Sequence, residues 1–267
     1  MFPNLDSRIG ISNLRETRPL VQCLTNDVAM NFCANVVTAL GASPVMAFAP
    51  EEAGDFVASA NAVTTNIGTL TNERYSGICL AMTRAKELGK PVVFDPVAHF
   101  VTPFRQSACH HLLALNPSII RGNASEIVAF SNKTNANGVD SCNEGEQRFS
   151  AAVKLSQRTK AIVAMSGETD FITDGKNHWL ITGGDALMSK VSATGCALTC
   201  VTGAFAALAP DRLLETTIAA FATFSAAGKI AAASAKGPGS FVPLFLDALS
   251  TIDEQCVAET VKVVSWH

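Results

Sequence analysis

The sequence predicts an α/β fold: a single domain over residues 1–267, with a mostly parallel central sheet and helices on both faces. Three observations carry that expectation. Between Leu20 and Met165, short apolar runs alternate with longer stretches of helical period, and regular strand–helix alternation builds a parallel sheet. The cleanest apolar run, Pro91-Val92-Val93-Phe94, is continuous rather than alternating, as in strands covered on both sides. Gly or Pro punctuates the helical stretches where they should stop or start.

The elements follow in order. Residues 7–17 read as a short helix, and Leu20–Leu24 as a strand. Thr25-Asn26-Asp27 is expected to cap a helix with Val28, Phe32, Val36 and Leu40 at helical spacing, ended by Gly41. Pro44–Phe48 reads as a short buried strand carrying Met46, and Pro50 opens the next helix. Ala62–Ile67 is a strand before Gly68, followed by a helix from about Asn72 to Leu88 and a stop at Gly89. Pro91–Asp95 is a strand. Thr102-Pro103 starts a helix as N-cap and N1. Ser118–Arg121 is a strand, and Asn123-Ala-Ser-Glu126 has the spacing of a capping box. Ser131–Gly145, polar and Asn-rich, reads as a surface loop. A helix over Glu146–Lys160 and a strand over Ala161–Met165 follow. Phe171–Thr173 and His178–Ile181 flank Asp174-Gly175 as a hairpin. Two long helices, about 196–208 and 211–235, are expected next. Lys236–Ser240 breaks the second, and helices at about 242–250 and 253–263 end the chain.

Composition narrows the function classes. A chain of 267 residues, 48% of them hydrophobic, suffices for one sizeable core. Its formal charge of −3 offers no nucleic-acid or anionic-membrane surface. The eight cysteines include no CxxC pair, and the five histidines show no zinc spacing. Free thiols and the absence of an apolar core in the first ten residues suggest the cytoplasm. The apolar run Cys196–Pro210 is too short to span a bilayer.

Ligands of parallel sheets bind beyond the carboxyl ends of the strands. Asn26, Gly68, Asp95, Arg121 and Ser166 all stand at such ends. There is no Walker A motif, so any phosphate must meet the late loop Ala193–Cys196. There Thr194 is a plausible N-cap, Gly195 permits close backbone approach, and Cys196 sits in the first helical turn. Orphan N–H groups and the macrodipole make that turn an anion site and should lower the thiol pKa. Asp95 and Glu126 can hold Mg²⁺ against a nucleotide triphosphate, or serve only as helix caps. Arg121 can clamp phosphate or make an ion pair. Ser166-Gly167 can contact a nucleotide or simply turn the chain, and Met46 can meet a ligand or fill core.

A set of motifs resolves these alternatives by resemblance. Cys23-Leu-Thr-Asn26, Gly41-Ala-Ser-Pro-Val-Met46, Asn66-Ile-Gly68-Thr-Leu70, Asp95-Pro-Val97, Arg121-Gly-Asn-Ala-Ser-Glu-Ile127, Ser166-Gly-Glu168, Thr194-Gly-Cys196 and Lys236-Gly-Pro-Gly-Ser-Phe241 occur in this order. Over roughly residues 12–260 the chain resembles the hydroxyethylthiazole kinase family, which has the ribokinase-like fold. The resemblance implies ATP-dependent phosphorylation of 4-methyl-5-(2-hydroxyethyl)thiazole in thiamin salvage, with Mg²⁺. It also implies a homotrimer whose active sites lie between subunits. Met46 and Gly195 match substrate-contacting positions; Asn26 and Gly68 look like pocket lining. Arg121 and Ser166 match ATP-contacting positions, the latter often Thr in the family, and Thr194 lies in the loop facing the phosphates. Asp95 and Glu126 match the acidic metal and phosphate positions. Cys196 falls where most ribokinase-like enzymes carry an aspartate base. The rivals are a kinase for another heteroaromatic alcohol such as hydroxymethylpyrimidine, and a catalytically silent thiazole- or nucleotide-binding protein. Three positions depart from the family pattern: Gln22 where His is frequent, Ala98-His99 where Gly usually follows Val97, and Ala193 where Gly often precedes Thr194.

Overall fold

A computed structural model describes residues 7–130 and 144–266. After a single 3₁₀ turn the chain runs α1 (Ile11–Thr17), β1 (Leu20–Leu24), α2 (Met30–Leu40), β2 (Ser43–Val45), α3 (Pro50–Ser59), β3 (Ala62–Asn66), α4 (Asn72–Glu87), β4 (Val92–Asp95), α5 (Pro103–Ala114), β5 (Ile119–Asn123) and α6 (Ala124–Ala129). The second described segment runs α7 (Glu144–Thr159), β6 (Ile162–Ser166), β7 (Thr169–Thr173), β8 (His178–Thr182), α8 (Thr194–Ala206), α9 (Leu213–Ser234), α10 (Pro238–Thr251), α11 (Glu254–Thr260) and β9 (Lys262–Trp266). The strands form one sheet in the order β2-β1-β3-β4-β5-β6-β7-β8-β9. β1 to β6 pair in parallel, and β6 to β9 continue antiparallel.

Successive side chains of a strand point to opposite faces, so each central strand feeds two cores. Val93 joins one core, with Cys33 and Val36 of α2, Val201 and Phe205 of α8, Phe221 of α9 and Phe245 of α10. Val92 and Phe94 join the other, with Val57 of α3, Ile78 of α4, Leu112 of α5 and Leu155 of α7. This double covering explains why β3 and β4 are buried at every position.

α8 packs against the sheet through its small residues. A β-carbon at Gly203 would stand 2.3 Å from Thr64 Cγ2 and 3.2 Å from Val21 Cγ1. α9 is long and apolar enough to cross a membrane by length and composition, but 78% of that stretch is buried inside the fold. It serves here as a core helix.

Several local expectations need correction. Thr25-Asn26-Asp27 does not cap α2: the helix starts at Met30, with Ala29 as an N-cap lacking a side-chain bond. Asn26 instead turns the chain by accepting Ala29 N–H at 3.1 Å, and Val28 is left 66% exposed ahead of the helix. The strand at Pro44–Phe48 shrinks to Ser43–Val45 and is only half-buried, because it is the sheet edge paired with β1 alone; Met46 lies just past it. The final segment is not helical to 263. α11 ends at Thr260, and β9 pairs with β8 from His178↔Trp266 to Thr182↔Lys262. Pairing across a strand so distant in sequence leaves no local periodicity to read. Of the predicted surface loop, 131–143 lie outside the described residues, and Glu144 and Gly145 already belong to α7. Among the described residues all seven cysteines are free thiols.

The packing of α8 makes a test. Alanine is intrinsically the better helix former, yet Gly203→Ala should lower the denaturation midpoint, by about 1–3 kcal/mol of overpacking. An unchanged or raised midpoint would show that Thr64 and Val21 can move aside.

Candidate active site

The parallel register brings the strand ends level. Asn66, the last residue of β3, lies opposite Asp95, the last of β4. Asn123 of β5 is opposite Ser166 of β6. The predicted strand-end residues therefore form one row, with the start of α8 beside it.

Hydrogen bonds tie that row together from Asn26 to Ser166. Asn66 Oδ1 accepts Gly68 N–H at 2.8 Å and Asn26 Nδ2 at 3.0 Å. Asn26 Oδ1 is engaged by Ala29 N–H. Backbone donors thus fix both amides, leaving both NH₂ groups 3.3 Å from Cys196 Sγ. Asn66 also donates to Asp95 Oδ2 at 2.9 Å. The same oxygen accepts Thr199 Oγ1 at 2.8 Å and faces Arg121 Nη1 at 3.5 Å. Arg121 Nη2 donates to Ser166 Oγ. Asp95 Oδ1 and Arg121 Nε remain buried without a protein partner, an acceptor and a donor left over beside a cleft.

Two glycines make this network possible. A β-carbon at Gly195 would stand 2.7 Å from Arg121 Nη1, and one at Gly68 would stand 2.7 Å from Asn26 Nδ2. Each glycine lets a polar side chain lie close against backbone. Thr194 is not the cap of α8. Ala193 holds that position without a side-chain bond, and Thr194 Oγ1 donates back to Val191 O at 2.8 Å. The first-turn amides therefore have no side-chain cap and remain suited to an anion.

Arg121, Ser166, Thr194 and Gly195 line a cleft of about 570 Å³, together with Asp170 and Phe224. Asn26, Gly68, Met46, Asp95, Glu126 and Cys196 are not among its lining residues. Met46 packs against the α8-side core, as Cys196 does. Glu126 closes the expected capping box with Asn123, and its two oxygens accept Asn123 N–H at 2.8 Å and Ala98 N–H at 3.1 Å.

Burial dominates the titration of this edge. Asp95, fully buried, is pushed up to about 7 by desolvation, which outweighs the neighbouring Arg121 charge; Glu126 pushes the same way. The Cys196 thiol is raised to about 11, by burial first and by Asp95 second, against opposing effects of Asn26 and Arg121. This reverses the lowered thiol expected from the helix start alone, because burial of the thiolate away from water outweighs the helix terminus here. Among the described residues no three His, Cys, Asp or Glu side chains cluster as a complete metal cage. Two carboxylates with one unpartnered oxygen suit an ion such as Mg²⁺, which completes its shell with water and substrate phosphates.

Comparison with known proteins gives the family. The hydroxyethylthiazole kinase family matches residues 11–255. The chain belongs to the hydroxyethylthiazole kinase family. It is 52% identical over 251 residues to the hydroxyethylthiazole kinase of Rhizobium etli, covering 94% of this chain and 97% of that one. It is 46% identical over 253 residues to the enzyme of Tolumonas auensis, covering 94% and 95%. The solved hydroxyethylthiazole kinase structure from Pyrococcus horikoshii superposes with a TM-score of 0.88 at 34% identity, over 96% of this chain and 97% of that one. A Staphylococcus aureus pyridoxal kinase bound to AMP-PCP and pyridoxal shares the ribokinase-like fold, with a TM-score of 0.61 at 18% identity over 92% and 98%.

Two departures from the hydroxyethylthiazole kinase pattern now have a physical meaning. Ala98 and Ala193, where the family pattern usually and often has glycine respectively, adopt left-handed conformations with φ of 48° and 67°. A β-carbon there is strained. His99, beside the first, is buried against Phe130 at a ring distance of 4.1 Å and meets Glu126 O at 3.0 Å. The sequence reading missed three polar residues of this edge. Asn66 and Thr199 hold Asp95. Asp170, on β7, accepts Gly167 N–H at 3.0 Å and Ser225 Oγ at 3.3 Å. The only sequence signals were a polar end to a buried strand, a Thr one turn after Gly195, and an acid in a hairpin.

Ala193→Gly should leave the denaturation midpoint unchanged or raise it, because about 1–2 kcal/mol of left-handed strain is relieved against the entropy of a freer unfolded chain. The same exchange at Ala204, inside α8, should lower stability by about 1 kcal/mol or more. A fall at Ala193 equal to that at Ala204 would show no strain there.

Asp170 gives a pH signature. Burial raises its carboxyl to about 6, against hydrogen bonds from Gly167 and Ser225 and the Arg121 charge. From about pH 4 to 6 the folded chain keeps a proton that the unfolded chain has released, so this group's contribution to stability falls as pH rises. The midpoint difference between wild type and Asp170→Asn should therefore decline across that window and flatten above about pH 7. A constant difference would place the folded value at the ordinary carboxylate one.

Proposed function

We propose that this chain transfers the γ-phosphoryl group of ATP to the hydroxyl of 4-methyl-5-(2-hydroxyethyl)thiazole, the step that returns the thiazole to thiamin synthesis. The observation that carries the reading is the Asn26–Asn66–Asp95–Arg121–Ser166 row, set against the uncapped start of α8 and a nucleotide-sized cleft. Arg121, Ser166, Thr194 and the first-turn amides would hold the phosphates in that cleft. Met46, Asn26, Gly68 and Gly195 would receive the thiazole. The motif resemblance supports a homotrimer with active sites between subunits. The cytoplasm is the proposed compartment.

Asp95 and Glu126 would hold Mg²⁺, which when bound offsets the charge of the triphosphate. The protein's own contribution is mainly placement: Arg121 is locked by Asp95, Ser166 and the absence of a side chain at Gly195, so its charge needs no rearrangement as the phosphoryl group moves. Cys196, a protonated thiol near neutral pH, is a poor base for the alcohol. Its role is to position the hydroxyl beside the Asn26 and Asn66 amides.

ADP release on adding the thiazole alcohol, compared with hydroxymethylpyrimidine, tests the substrate directly. Release with the pyrimidine alone would move the activity to that alcohol, and release with neither would make the chain a binding protein. Cys196→Ala should keep measurable turnover, falling about 10- to 100-fold at most, because a full general base is worth about 10²–10⁴-fold and a protonated thiol supplies little of that. A covalent phospho-cysteine route requires the Ala variant to be dead at saturating substrates.

A further inference from the structure

Three of the residues proposed to receive the thiazole, Asn26, Met46 and Gly68, lie on loops at the carboxyl edge, and one helix ties those loops together. α4 begins beyond Gly68 and Thr69, the residues that follow β3. Thr71 caps its start, accepting Arg74 N–H at 3.2 Å. The Arg74 side chain, 11% exposed, then reaches across the other two loops. Its Nη1 donates to Thr25 O at 2.8 Å, next to Asn26, and its Nη2 bonds Asp27. Its guanidinium also lies over the Phe48 ring, 4.1 Å from the centroid and two residues past Met46.

A second contact is independent of that side chain. One turn further along α4, a β-carbon at Gly77 would stand 2.0 Å from Phe48 O and 3.1 Å from Phe48 C. The backbone after Met46 therefore rests directly on the helix, at a place where only glycine fits without movement. A third tie closes the set: Thr69 Oγ1 accepts Asp27 N–H at 3.1 Å.

The geometry points to Arg74 and Gly77 as positioning residues of the thiazole pocket: together they clamp the segments bearing Asn26 and Met46 at a fixed separation. The inference rests on the proposed substrate and goes beyond it, since neither residue lies at a position of the family motifs. Asp27 is 60% exposed, so its ion pair contributes little. The clamp's strength lies in the charge-assisted bond to Thr25 O and the stacking on Phe48. Both use a planar fork that lysine lacks, so Arg74→Lys is not a conservative change here.

Steady-state kinetics of the full-length enzyme, with each substrate varied at saturation of the other, separate this role from a general structural one. Arg74→Lys and Gly77→Ala should each raise KM for the thiazole alcohol about tenfold or more while KM for ATP stays within about twofold, because misplacement of about an ångström is costly only where it occurs. Thermal melts confirm that each variant is folded, and Arg74→Lys decides alone if Gly77→Ala does not fold. Folded variants with an unchanged thiazole KM, or with both KM values raised together, overturn the clamp and leave the proposed function standing. A wild type that releases no ADP with the thiazole alcohol overturns the proposed function, and the clamp's ligand with it.

Discussion

The carboxylate of Asp95 sits at the end of a strand buried at every position, with no exposure to water. An acid in such a place is tolerated only when donors surround it. Those donors come from three elements: Asn66 from β3, Thr199 from α8 and Arg121 from β5. Meeting that demand draws α8 onto the sheet edge and holds the arginine down against the bare backbone of Gly195. The amides of Asn26 and Asn66 are oriented through the same chain of contacts. Even so, one Asp95 oxygen and the Arg121 Nε remain without partners. The edge is thus rigid in its polar skeleton and incomplete in its hydrogen bonding, which is the condition of a site prepared for a charged ligand.

Much of this could be read before any coordinates. The continuous apolar run at Val92–Phe94 announced a strand covered on both faces, and the Asn123–Glu126 spacing announced the capping box that is present. The strand-end residues Asn26, Gly68, Asp95, Arg121 and Ser166 do converge. What escaped depends on contacts distant in sequence. β9 exists only because β8 offers it an edge. Thr199 and Asp170 look like ordinary members of a helix and a hairpin until their partners are known. The Cys196 thiol was misjudged because a helix start is visible in sequence, whereas burial and the closeness of Asp95 are not. The roles of Ala98 and Ala193 were equally hidden: a departure from glycine becomes meaningful only with a backbone angle attached.

The glycines divide by a similar logic. Gly68 and Gly195 lack a side chain so that another side chain can lie against them, whereas Gly77 and Gly203 allow, respectively, a backbone and a neighbouring strand to approach a helix. All four act through close approach. Among the described residues, β-carbons are tolerated at six left-handed positions, two of them alanines. Contact distance, more than backbone angle, therefore decides where this fold can accept a β-carbon.

The strand order also bears on how the chain is made. From β4 to β9 each strand lies beside the one synthesised just before it, so a nascent sheet can grow by addition at one edge. Its two faces, however, are sheltered on different schedules. The face covered by α3, α4, α5 and α7 gains its helices as the strands emerge. The opposite face has α2 early but waits for α8, α9 and α10, which leave the ribosome only after eight of the nine strands. Until then Val21, Val93, Ile119 and Ala164 present an apolar sheet surface to solvent. Incomplete chains that stop before residue 194 therefore expose a broad sticky face, and it is these nascent or truncated forms, rather than the finished protein, that most need chaperone protection.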